Sequence, residues 1–90
     1  MRTLVQKYQM GMITEDHLVL ESLHMLDPEH PELVLSELPD SILERMYRFA
    51  NQYVHGTLLT NYGLLPAQDQ VFAARRWIEK ARQTSVKKTA

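Results

Sequence analysis

His17, Glu21 and His24 stand at i, i+4 and i+7. On a helix those positions share one face, so two imidazoles and a carboxylate form a contiguous polar stripe. Imidazole and carboxylate are ligand types that zinc accepts. The stripe has no fourth ligand and no surrounding motif, and nothing in the sequence converges His30 or His55 on it. It reads as a solvated helix face, with no metal bound. The carboxylates could also supply an acid–base pair. Most of them, however, fall where a helix begins (Glu15, Asp16, Glu29, Asp40, Glu44), and there the positive helix end accounts for them. With only Gly11, Gly56 and Gly63 there is no glycine-rich phosphate loop, and no serine sits in a nucleophile elbow. No catalytic residue, no cofactor and no enzyme activity are expected.

Arg75, Arg76, Lys80 and Arg82 are the candidate binding residues. Arg76 and Lys80 are four apart and share a helix face, with Arg75 and Arg82 further round. Such cations can contact phosphates, and Trp77 among them could stack a base. Against nucleic acid stand a chain of net charge −1, an acidic half that repels phosphate, and a Trp77 that borders an apolar seam.

The charges are sorted along the chain. From Glu15 to Glu44 there are nine carboxylates and no Lys or Arg; from Arg45 onward there are eight Lys or Arg against Asp69 and Glu79. Asymmetry of this kind bears on partners rather than on fold. The two halves can meet within one chain, or between chains in a head-to-tail or two-fold assembly. Reversing Arg75 and Arg76 is the expected way to disturb either.

The elements that carry these residues read as helices. Residues 2–10 form the first, with Leu4, Val5 and Tyr8 on one side and Gly11 as its stop, although so short a stretch also suits a strand. Thr14 caps the second, which carries Val19, Leu20, Leu23 and Leu26. Asp27-Pro28 reads as the cap and first residue of a third, with Pro31 still in its first turn. The run 33–35 could instead be a short strand, but no partner strand is evident. Ser41 and Glu44 have the capping-box spacing at the head of the broadest apolar helix, through Ile42, Met46, Phe49, Ala50 and Tyr53 to Gly56. Asn61-Tyr62-Gly63 reads as a turn, and Leu58, Leu59, Leu64 and Leu65 as a connector folded onto the core. Pro66 opens the last helix, to about Gln83, with Val71, Ala74, Ile78 and Ala81 on its seam.

The expected fold is all-α: a compact irregular bundle of four to five short helices, one domain over residues 1–83, with 84–90 a frayed polar and basic tail. There is no cysteine, which excludes disulfides and thiolate sites. No apolar run of about 18 residues and no apolar leader is seen, so the setting expected is cytoplasmic, without membrane contact. With no site chemistry evident, the function expected is protein–protein interaction, the partner being a foreign protein or a second copy in a homodimer. The competing class is a nucleic-acid accessory protein using the basic last helix.

Overall fold

A computed structural model describes residues 4–58 and 64–89, with side chains as far as residue 83. Five helices run in the order α1 (Leu4–Gln9), α2 (Glu15–Met25), α3 (Glu32–Leu35), α4 (Asp40–His55) and α5 (Gln68–Thr89). No strand occurs among the described residues, so the strand alternative for 2–10 falls away from Leu4 onward, as does that for 33–35. The radius of gyration is 13.1 Å, close to the ~12 Å of a compact chain this long.

α1 and α4 both end on a glycine in the left-handed region, Gly11 at φ 77° and Gly56 at φ 68°. Each closes a pair of reversed hydrogen bonds. Met12 N–H reaches Lys7 C=O and Gly11 N–H reaches Tyr8 C=O; Thr57 N–H reaches Gln52 C=O and Gly56 N–H reaches Tyr53 C=O. These bonds satisfy carbonyls that the helix end leaves open, and a Cβ would strain the conformation that makes them. Thr14 caps α2 as its residue type suggests: its Oγ1 accepts the His17 N–H at 3.1 Å.

Two helix starts differ from expectation. Asp27 caps a turn rather than a helix. Its Oδ1 accepts the Glu29 N–H at 3.0 Å and its C=O accepts the His30 N–H. A residue before proline is held out of the helical region, so His30 delays the helix and Pro31 becomes the N-cap of α3. The capping box does not form either. α4 starts at Asp40 with Pro39 as its N-cap. Ser41 therefore lies inside the first turn, and Glu44 is left to pair with arginines.

α2, α4 and α5 enclose the core. Leu18, Leu23, Leu35, Ile42, Met46, Ala50, Val71 and Ala74 have no exposed surface. α4 supplies Ile42, Met46, Phe49 and Ala50 along one stripe, and half-buried Leu43, Tyr47 and Tyr53 widen it. Leu4, Val5 and Tyr8 pack α1 against the same cluster. Three expected core positions are corrected. Ala81 is exposed, at a level where the neighbouring Arg82 reaches α4. Leu64 and Leu65 are exposed too, and Pro66 is buried in their place. Leu59 and the Asn61-Tyr62-Gly63 turn lie outside the described residues. α5 stays helical to Thr89 rather than ending near Gln83, since no proline or glycine follows to stop it. The side chains of 84–90, which carry the expectation of a frayed tail, also lie outside the described residues.

Candidate functional site

The four candidate cations separate onto two sides of α5. Arg75 and Arg82 are seven apart and turn towards α4, where both guanidiniums lie over the Tyr47 ring, 5.9 and 4.2 Å from its centroid. Arg75 Nε donates to Asn51 Oδ1 at 2.7 Å, and its Nη1 lies 3.4 Å from Glu79 Oε1. Arg82 pairs with Glu44. The Tyr47 hydroxyl donates to Glu79 Oε1 at 2.9 Å. The tyrosine is thus held by two cations at its face and one anion at its edge, an arrangement suited to its quadrupole. The cluster clamps α4 to α5, and its arginines are already spent on carboxylates and an aromatic face.

Arg76 and Lys80 point the other way. With Trp77, Ala73, Pro28 and Pro31 they line a cleft of about 180 Å³ between α5 and the turn ahead of α3. Trp77 is half-buried and also packs against the core cluster. Arg76 and Lys80 are exposed at the rim.

The acidic and basic halves do meet within the chain, but not where Arg75 and Arg76 lie. Arg45 carries the main contact. Its Nε and Nη2 donate to Asp16 Oδ1 at 3.0 and 2.8 Å, and Glu15 Oε1 is 3.6 Å away. Glu44 makes further contacts between the halves, with Arg48 at 3.6 Å and with Arg82. Of the four candidate residues, Arg82 reaches the acidic stretch, through Glu44. Arg45 was visible as the first cation after that stretch; what the sequence lacked was any sign that α2 and α4 lie side by side.

The His17–Glu21–His24 stripe lies beside Leu20 and Leu64 in an open cleft of about 380 Å³. His17 Nε2 is 3.9 Å from Glu21 Oε1. His24 Nε2 lies 3.0 Å from the Leu64 C=O, which fixes its tautomer and ties the connector to α2. Among the described residues no three His, Asp or Glu side chains converge to hold a metal ion. Gln70 was passed over in the sequence. Its Nε2 donates to the His24 and Leu26 carbonyls at 3.0 and 3.2 Å, and its Oε1 accepts the Ala67 N–H at 3.1 Å. One side chain therefore satisfies the open end of α2 and the start of α5 together.

No described helix is long and apolar enough to cross a membrane. Comparison with protein-family models, with curated proteins and with solved structures finds no match to this chain.

Proposed function

We propose that this chain is a protein-interaction module that takes an acidic, partly apolar peptide segment in the Trp77 cleft. The observation that carries the reading is the lining itself: an indole packed against the core, two prolines opposite it, and Arg76 and Lys80 at the rim. A packed aromatic offers apolar area at little entropic cost, and rim cations select a partner by sign. Ligand pockets typically run from about 300 to 1,000 Å³. A cleft of about 180 Å³ is small for a cofactor and suits one inserted side chain. The proposal assigns no reaction to the protein, and it includes a cytoplasmic setting, in keeping with a cysteine-free composition. The nucleic-acid reading loses ground because Arg75 and Arg82 already face Glu79, Glu44 and Tyr47.

Trp77 is the sole tryptophan, so its emission reports on the cleft directly. Titration with a synthetic peptide of alternating Glu and Leu should shift that emission saturably. Arg76→Glu/Lys80→Glu should weaken the response about tenfold, the effect of ~1.4 kcal/mol. No shift at about 1 mM peptide, where an interaction of ~4 kcal/mol is half-saturated, overturns the reading.

A further inference from the structure

We propose that the segment taken by the Trp77 cleft is the α3 turn of a second copy of this chain, in a two-fold contact that buries Leu33. The inference rests on the reading of the cleft given above and names its occupant. Leu33 is 67% exposed, while Leu35 of the same turn is fully buried. In the sequence on either side of Leu33, Asp27, Glu29, Glu32, Glu37 and Asp40 are all exposed. The ion pairs of Arg45, Arg48, Arg75 and Arg82 fall on Glu15, Asp16, Glu44 and Glu79 instead. Glu32 has a neighbour in His30, whose Nδ1 is 3.3 Å from Glu32 Oε1. The α3 turn therefore carries an exposed leucine in an acidic stretch, and the cleft beside it has Arg76 and Lys80 on the side that α5 supplies.

Position favours a second copy over a foreign segment. Pro31 lines the cleft and is also the N-cap of α3, so the receiving and the inserted parts adjoin on one face. A two-fold interface requires the same patch on both subunits to be complementary to itself. In the proposed dimer the axis runs near Pro31, so that each Leu33 would meet the other Trp77 and each acidic turn the other basic rim. Each contact is then made twice.

The test is a charge exchange. One variant carries Arg76→Glu/Lys80→Glu, the other Glu29→Lys/Glu32→Lys. All four side chains are exposed, and melting curves check that both variants fold. Light scattering during gel filtration should find that the wild-type chain dimerises and that the dimer dissociates in high salt. Each variant alone should be monomeric. An equimolar mixture should recover the dimer, because both of its contacts then join opposite charges. A wild-type chain that stays monomeric at millimolar concentration overturns the proposal, as do variants that each dimerise alone. If the wild-type chain is monomeric while Trp77 still responds to the Glu/Leu peptide, the cleft keeps its function and only the second copy is excluded. If neither is seen, both readings fall.

Discussion

Arg45 shows how one side chain can join two oppositely charged halves. Its Nε and Nη2 both donate to a single oxygen of Asp16, a charge-assisted contact stronger than a neutral hydrogen bond. The two side chains are nevertheless 43% and 46% exposed, so water screens much of the attraction. Arg45→Asp should therefore lower stability by about 1 kcal/mol, at the upper end for a solvent-exposed pair, and Asp16→Arg should cost a similar amount. Combining them exchanges the signs and should restore most of the loss. Thermal melting of the four proteins checks this, and full additivity of the two losses would show that the pair contributes nothing. Tyr47 makes the complementary point. Its ring and hydroxyl engage three charged residues on α5, which draws Arg75 and Arg82 towards α4, while Arg76 and Lys80 line the cleft beside the α3 turn.

At the scale of the elements, Gln70 is the joint that most repays a test. Gln70→Ala removes donors from the His24 and Leu26 carbonyls and the acceptor of the Ala67 N–H. The cost should be roughly 1–3 kcal/mol, the usual penalty for partly buried polar groups left unpaired. Amide exchange should rise at the start of α5 before it rises in α4; uniform exchange across both helices would count against this role. What could be read from the sequence follows a local-versus-distant divide. The Thr14 cap, the stops at Gly11 and Gly56 and the Ile42–Met46–Phe49–Ala50 stripe depend on neighbours a few residues away, and the amino-acid types reveal them. Asp27 and Ser41 misled because the same side chain caps a turn or a helix, and only the adjoining prolines decide which. The separation of Arg75 and Arg82 from Arg76 and Lys80 depends on where α4 lies against α5. Helical spacing puts the cations around a cylinder; it does not say which side meets a neighbour.

For the molecule as a whole, one core serves all the helices. Ile42 is fully buried in it, so Ile42→Ala should cost about 2–5 kcal/mol in lost burial and cavity. Small domains hold only about 5–15 kcal/mol in total, so this one substitution takes a large share. Urea unfolding should show the midpoint falling with an unchanged slope; a changed slope would mean that the compactness of the folded or unfolded state, or the two-state transition itself, had changed. The sorted charge also bears on how the protein is made. α2 carries Leu18, Val19 and Leu23, which stay uncovered until α4 and α5 have been synthesised behind them. During translation the first half is thus an amphipathic chain waiting for its cover, at a pace of about 5–20 residues per second. The nine carboxylates from Glu15 to Glu44, with no cation among them, give that nascent segment a uniform negative charge. Like charges repel, so two such segments oppose each other's approach while their leucines are bare, and in the closed fold Arg45 and Arg82 pair with Asp16 and Glu44.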